Sequence, residues 1–190
     1  PLVCVHGWPE TKRIWWRVVE PLAAAGFEVV VPDLRGFGDS DLGPDGFHDV
    51  AAHAADLYAL VHDHLGHGRV VLAGGDLGGP VIQELSLRHP EWVDRMVLFN
   101  SPLPYLKGRM DDLETRPPEE VLDYFVRQGT DPDGLMAELA TPDARRAYIA
   151  EFYGRRHWAH PGAFTDDEVA FIVEPFASAA HLRASFGAYE

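Results

Sequence analysis

The sequence predicts an α/β protein in which a parallel sheet with flanking helices is followed by an all-helical unit. In residues 1–103, short β-branched runs alternate with helical patterns, which is typical of strand-helix-strand crossovers. After Pro102 and Pro104 the strand-like runs stop, and further prolines separate a series of short helical patterns. We therefore expect a core domain over residues 1–103 and a helical cap over residues 104–190.

The expected elements follow one another in a regular order. Four short and mainly apolar runs predict strands with both faces covered, at residues 2–5, 27–31, 70–73 and 96–99. Helical periodicity and Gly or Pro stop signals place the core helices at residues 12–25, 50–65 and 80–88. The cap helices are expected at residues 119–128, 135–139, 143–155, 166–172 and 177–189.

Composition indicates a globular protein and excludes several partners. The 190 residues are 46% hydrophobic, which supplies a sizeable core and excludes a disordered chain. A formal net charge of −14 disfavours nucleic acid and anionic membranes as partners. No apolar run reaches the roughly 20 residues of a membrane span, and the single Cys4 excludes an internal disulfide. We expect a cytoplasmic protein, provided that no targeting signal precedes residue 1.

A tight turn after the third strand carries the main catalytic signal. Asp76 has Gly74 two positions before it and Gly78 two positions after it. A sharp strand-to-helix turn strains its central residue and has room only for small neighbours, so the pattern predicts a nucleophile elbow. An Asp nucleophile can displace a leaving group from a saturated carbon and become an ester. The alternative interpretation is a Gly-Asp turn that merely caps a helix.

Two backbone amides are expected to hold the charge that develops on Asp76 when this ester is hydrolysed. One is the N–H of Leu77 at the helix start, and the other is the N–H of Trp8 after the first strand. Each such donor lowers the barrier by roughly 3 to 4 kcal/mol. Pro9 is expected to follow a cis peptide bond. The residues that shape the turn around Trp8 are His6, Gly7 and Pro9.

Two further polar groups have structural interpretations. Asp33 and Arg35, after the second strand, are expected to pair and fix their loop. His62, His64 and His67 have the composition of a metal site, but a solvated helix end is the favoured interpretation. The sequence therefore predicts neither a metal nor another cofactor.

Three motifs occur in order along the chain: HGWP from His6, DLRGFGDS from Asp33 and GGDLGG from Gly74. Together they resemble the α/β-hydrolase superfamily, and most of all its epoxide hydrolases. The resemblance covers nearly the whole chain and implies a partial α/β-hydrolase core with a helical cap. It also implies that a small apolar epoxide and water are the substrates and a vicinal diol the product. The position before the nucleophile, usually His in that family, is Gly75, which is expected to enlarge the site.

The resemblance also implies proton donors. Cap tyrosines of the family hydrogen-bond the epoxide oxygen while the aspartate opens the ring. Tyr189, on the last expected helix, is the first candidate, and Tyr124 is the second, with Val121 as the alternative at that position. A positioned proton donor contributes typically about 10² to 10⁴ in rate.

The family's water-activating His and its acid partner come from strands later than any expected here. No His of the chain is expected to replace it, and Asn100 and Ser101 offer no acid after the fourth strand. We therefore expect the middle part of a longer enzyme, which is alkylated at Asp76 but does not turn over. Uncovered sheet edges also predict association into homo-oligomers.

Two alternatives stay open on the sequence. Haloalkane and haloacetate dehalogenases share the Asp nucleophile, but they usually place a Trp or an Arg where this chain has Leu77. Trp8 remains available to contact a halide in that interpretation. The second alternative is a non-catalytic protein of this fold that binds a small apolar ligand. A serine esterase is excluded because the elbow carries no Ser.

Overall fold

The sheet of the protein is parallel throughout. A computed structural model describes residues 1–101, 119–154, 160 and 162–190. Strands β1 (Leu2–Val5), β2 (Val29–Val30), β3 (Val70–Gly75) and β4 (Val93–Phe99) pair in the order β2-β1-β3-β4. Every pairing is parallel, so the predicted α/β class is confirmed.

Helices connect the strands, as parallel pairing requires. A 3₁₀ turn (Lys12–Trp15) leads into α1 (Trp16–Ala24). Helix α2 (Val50–Tyr58) continues as a π-helix (Ala59–His64). Helix α3 (Gly78–Arg88) begins directly after the turn that follows β3. The three predicted core helices are therefore present, with small differences in their ends.

Strand β1 is covered on both of its faces. Val3 and Val5 belong to the apolar cluster that also contains side chains of α2 and α3. Leu2 and Cys4 point to the opposite face, where Leu22 of α1 packs against them. This arrangement places the carboxyl ends of β1 and β3 side by side at one end of a rigid layer.

The expectation that both faces of every strand are covered is wrong for β4. The exposed fractions of Met96, Val97 and Phe99 are 40%, 53% and 49%. Strand β4 is the outer strand of the described sheet and pairs there only with β3. Its apolar side chains therefore remain open to solvent among the residues that the structure describes.

The second half of the chain is helical wherever the structure describes it. Its helices are α4 (Glu119–Thr130), α5 (Pro132–Glu138), α6 (Pro142–Gly154), α7 (Asp166–Val173) and α8 (Ala179–Ala184), with a 3₁₀ turn (Glu174–Ala177) before α8. Thr165 and Glu168 form a capping box at the start of α7. The expected boundary near residue 103 adjoins residues outside the described ranges, so the division into core and cap stays a prediction.

The expected helix over residues 177–189 is wrong at its carboxyl end. Helix α8 ends at Ala184, and the chain continues in tight turns. In these turns the N–H groups of Gly187 and Tyr189 donate to carbonyls three residues back, at 3.0 and 2.8 Å. The chain also passes so close to His48 that a Cβ on Gly187 would lie 2.9 Å from the His48 Cβ. Tyr189 is therefore held by a turn rather than by a helix.

The expected pair between Asp33 and Arg35 is also wrong. Asp33 pairs with Lys12 at 2.9 Å, whereas Arg35 pairs with Asp45 at 2.8 Å and with Asp56 at 2.5 Å. Each residue finds its partner on a different element, since Lys12 begins the 3₁₀ turn and Asp56 lies on α2. Both residues still fix the loop, as the structural interpretation holds.

Candidate active site

The turn after β3 has the backbone of an elbow. Asp76 has a φ of +49°, in the left-handed region that side chains other than glycine seldom adopt. A Cβ on Gly74 would lie 2.8 Å from the Gly78 carbonyl oxygen, and one on Gly78 would lie 2.5 Å from the Val5 carbonyl oxygen. Gly7 is equally constrained, because its Cβ would lie 2.5 Å from the Asp76 Cβ. These glycines let two turns meet at the Asp76 side chain.

Both of the predicted backbone amides donate hydrogen bonds to the same oxygen of the Asp76 carboxylate. The N–H of Trp8 donates to Oδ1 at 2.8 Å, and the N–H of Leu77 donates to the same atom at 2.6 Å. Leu77 immediately precedes α3, so the positive end of the helix dipole also faces this oxygen. Burial raises the pKa of the Asp76 carboxyl above its ordinary value, while the two amides oppose that shift.

His6 has a structural place in the turn that carries Trp8. It is fully buried, its Nε2 accepts the Leu34 N–H at 3.0 Å, and its Nδ1 lies 2.8 Å from the Gly7 carbonyl oxygen. Burial lowers the pKa of His6 to about 4, so the ring is neutral at pH 7. The peptide bond between Trp8 and Pro9 is cis, as expected.

Both candidate tyrosines lie against Trp8. The Tyr124 ring stacks on it at a centroid distance of 5.1 Å, and the Tyr189 ring meets it edge-on at 6.2 Å. The two tyrosine rings are 6.3 Å apart and their phenols share a hydrogen bond. Burial, and then the nearby charge of Asp76, raises the pKa of both phenols above the ordinary value. Both side chains therefore keep their protons near neutral pH.

A cavity of about 140 Å³ opens beside Asp76. It is small and mainly apolar, and among the described residues no Lys or Arg lines it. Its aromatic walls are Trp8, Tyr124, Phe152, Tyr153 and Phe164, and its polar lining is Asp76, Glu10 and Asn100. A larger cavity of about 650 Å³, between the loop at residues 42–49 and α8, contains none of the predicted site residues.

Two residues at this cavity have no predicted role. The Glu10 carboxylate accepts the Gly7 N–H at 2.6 Å, and burial together with the Asp76 charge raises its pKa to about 7. The Tyr153 hydroxyl donates to the Pro9 carbonyl oxygen at 2.6 Å. Glu10 directly follows the HGWP motif, and an acid at a strand end is a signal that sequence reasoning can use. Tyr153 offers no such signal, because an aromatic residue in a helix is typical of a core.

Gly75 does not enlarge the site. A Cβ there would lie 2.5 Å from the Cδ2 atom of the Phe99 ring and 2.8 Å from the Phe99 carbonyl oxygen. The ring of Phe99, which also meets Trp15 edge-on at 5.8 Å, therefore occupies the space above Gly75.

The structure reveals no metal cluster or membrane span in the ranges that it describes. No group of three or more His, Cys, Asp or Glu side chains in these ranges has the arrangement of a metal site. His62 instead stacks on Tyr58 and lies 2.7 Å from an Asp63 oxygen. Within the same ranges, no helix has the length and apolar character needed to cross a bilayer.

Comparisons with known proteins agree with this geometry. A family model described as alpha/beta hydrolase fold matches residues 1–146. The soluble epoxide hydrolase of Corynebacterium sp. (strain C12) is 32% identical over 176 residues, which cover 91% of this chain and 58% of that protein. The AB hydrolase superfamily protein YfhM of Bacillus subtilis (strain 168) is 27% identical over 190 residues, covering 99% of this chain and 64% of that protein.

A solved structure is similar over the whole length of the chain. The structure described as epoxide hydrolase CorEH without ligand superimposes with a TM-score of 0.81 at 26% identity, and the match covers 100% of this chain and 65% of that one. The chain thus spans less than two thirds of each of these three relatives.

Proposed function

Because this chain belongs to the α/β-hydrolase fold family, we propose that it carries the ester-forming part of an epoxide hydrolase. The observation that carries the proposal is the pair of amides, from Trp8 and Leu77, that converge on one oxygen of Asp76. Such a pair is suited to an oxygen that becomes negative in a tetrahedral intermediate. Relatives named as epoxide hydrolases support the choice of substrate.

In the first step, Asp76 Oδ2 attacks one carbon of the epoxide ring. A bond forms between Oδ2 and this carbon, and the bond between the carbon and the ring oxygen breaks. The ring oxygen takes a proton from a phenol of the Tyr124–Tyr189 pair and becomes a hydroxyl group. Because an alkoxide leaves poorly, this proton is expected to account for much of the rate. Asp76 is then an alkyl ester, with Oδ1 as its carbonyl oxygen.

In the second step, water attacks Cγ of this ester. The electrons of the Cγ–Oδ1 double bond move onto Oδ1, where the Trp8 and Leu77 amides stabilise them. Collapse of the intermediate re-forms the Cγ–Oδ1 double bond and breaks the bond between Cγ and Oδ2. Oδ2 leaves as the second hydroxyl of the diol with one proton of the water, the water oxygen completes the carboxylate, and the other proton returns to the phenol that was deprotonated in the first step. The resemblance assigns activation of this water to a His and an acid on later strands. We therefore expect these 190 residues alone to stop at the ester.

The cavity favours an uncharged and apolar substrate. Its lining is aromatic and acidic, and among the described residues it offers no cation to an anionic substrate. This disfavours a haloacetate. The indole N–H of Trp8, which would hold a halide in a dehalogenase, donates instead to Ser185 Oγ at 3.0 Å. Cytoplasmic location and self-association remain predictions.

Mass spectrometry of the Asp76 peptide tests the proposal. After incubation with styrene oxide, we expect that peptide to gain the mass of one epoxide, because we expect the ester to persist in this chain. Asp76→Asn, which removes the nucleophile, is expected to gain nothing. An unmodified wild-type peptide, sustained diol formation by the isolated chain, or release of chloride from a chloroalkane at a comparable rate would contradict this account.

A further inference from the structure

The end of β4 holds the backbone of the nucleophile. The last ladder pair joins Gly75 to Phe99, and one position further the Asp76 N–H donates to the Asn100 carbonyl oxygen at 2.9 Å. The Ser101 hydroxyl donates to the Asp76 carbonyl oxygen at 3.3 Å. Both backbone polar groups of Asp76 are therefore bound by two consecutive residues of another strand end.

Asn100 makes this contact from an unusual backbone conformation. It has a φ of +43°, and in the described ranges only Asp76 and Asn100 have a positive φ without being glycine. A Cβ is penalised in the left-handed region, and Asn tolerates that region better than most residues. Asn100 is also the only asparagine among the 190 residues. The one Asn of the chain therefore lies beside the Asp76 turn, at a position where the backbone is left-handed.

Gly79, in the first turn of α3, leaves room for the Ser101 side chain. A Cβ on Gly79 would overlap the side chain of Ser101, so a larger residue there would push Ser101 away from Asp76. Gly79 also donates its own N–H to the Asp76 carbonyl oxygen at 3.0 Å. The turn after β3 and the end of β4 therefore contact each other through the backbone of Asp76 and through the close approach of Gly79 to Ser101.

We propose that Asn100 is a positioning residue for Asp76, and that its left-handed backbone does this work rather than its amide. An extended residue at this position would continue β4 and turn the carbonyl away from the Asp76 N–H. The Asp76 side chain would then lose its alignment with the amides of Trp8 and Leu77. The effect on rate rests on the proposed function, whereas the effect on the Asp76 amide does not.

Two variants at this position separate backbone from side chain. Asn100→Ala and Asn100→Gly both remove the side-chain amide. Only the alanine variant has a Cβ, which is unfavourable at positive φ. Gly66→Ala is the control for that penalty elsewhere, because Gly66 has a φ of +77° and open space around it. All three are made in the 190-residue chain. We would measure hydrogen exchange of the Asp76 amide by NMR, and ester formation on Asp76 with styrene oxide.

Asn100→Ala is expected to speed exchange of the Asp76 amide and to slow ester formation, each about tenfold, without changing the half-saturating epoxide concentration. Asn100→Gly is expected to change exchange of the Asp76 amide by no more than about threefold, and to form the ester clearly faster than Asn100→Ala, which lacks the same cavity-lining amide. Gly66→Ala is expected to lower the melting temperature without changing either rate. A role limited to overall stability would make Gly66→Ala and Asn100→Ala alike.

Equal losses in the Ala and Gly variants would overturn the inference, because the amide would then be responsible. Unchanged exchange in Asn100→Ala would overturn it as well. If the wild-type chain forms no ester while exchange still follows the expected order, the proposed function fails and the positioning role of Asn100 stands.

Discussion

The floor of the cavity beside Asp76 is made of core backbone, whereas its roof is made of side chains from the helical unit. The floor consists of Trp8 and Asp76, and the backbone N–H groups of Trp8 and Leu77 donate to the Asp76 carboxylate at 2.8 and 2.6 Å. The roof consists of Tyr124, Phe152, Tyr153 and Phe164, and Tyr189 is hydrogen-bonded to Tyr124.

This difference separates two kinds of chemical work. Backbone amides are fixed by the turn and need little reorganisation when charge develops on Asp76. The phenols of Tyr124 and Tyr189 depend on the packing of distant helices for their position, and burial raises their pKa further above the ordinary value. In the proposed mechanism, the floor stabilises negative charge, and the roof supplies the proton and the apolar surroundings. Three predictions test this division.

Removing the two candidate proton donors, Tyr124 and Tyr189, is expected to have the largest effect. In the double variant Tyr124→Phe with Tyr189→Phe, ester formation with styrene oxide should slow by about 10² to 10⁴, because the leaving oxygen finds no proton. Tyr148→Phe is the matched control, since this ring lies 6.4 Å from Trp8 while its hydroxyl accepts from Gln128. If the control slowed as much as the double variant, loss of a buried hydroxyl near Trp8, rather than loss of the proton donors, would explain the effect. Single-turnover mass spectrometry measures both rates.

Displacing the backbone amide of Leu77 is expected to have the next largest effect. In Gly78→Ala the new Cβ meets the Val5 carbonyl oxygen, so the helix start and the Leu77 amide must move. Ester formation should slow by about 10²-fold, because a displaced Leu77 amide no longer aligns the Asp76 carboxylate for attack on the epoxide. Gly68→Ala is the control, because its Cβ would enter open space and its φ is not positive. Circular dichroism must show a folded Gly78→Ala protein, and full activity in that folded protein would rule out the backbone role.

Glu10, beneath the same cavity, is expected to make stability depend on pH. Burial raises its pKa from 4.5 to about 7, so the folded state binds this proton more tightly than the unfolded state. Its contribution to stability is complete below the ordinary pKa and is lost as the pH rises through about 7.

The variant Glu10→Gln, which can still accept the Gly7 N–H, should remove that loss. We expect its free energy of unfolding to exceed that of the wild type by about 1 to 3 kcal/mol near pH 8, with the difference closing towards pH 5. Denaturant unfolding at the two pH values measures it. A wild-type stability that rises between these values relative to Glu10→Gln would show that the carboxyl is ionised when folded.

The sequence predicted the floor better than the roof. The positions of Asp76, Gly74 and Gly78 within one short turn predicted the strained backbone that is observed, because local sterics decide which residues fit such a turn. The catalytic roles of these residues stay predictions. On the roof, both tyrosines were named, but the expected helix around Tyr189 was wrong. Gly187 and its close contact with His48 end that helix, and this contact joins residues far apart in the chain.

By itself, the sequence determined the α/β class, the order of the elements and the turn that carries Asp76. Each depends on the periodicity of hydrophobic residues or on the absence of a side chain in glycine. Both effects act over a few neighbouring residues. Only the tertiary structure decided which partners Arg35 takes, that β4 is the outer strand among the described residues, and that Glu10 and Asn100 adjoin Asp76. Those outcomes depend on distant segments packing together, and burial changes the pKa of a side chain only once that packing exists.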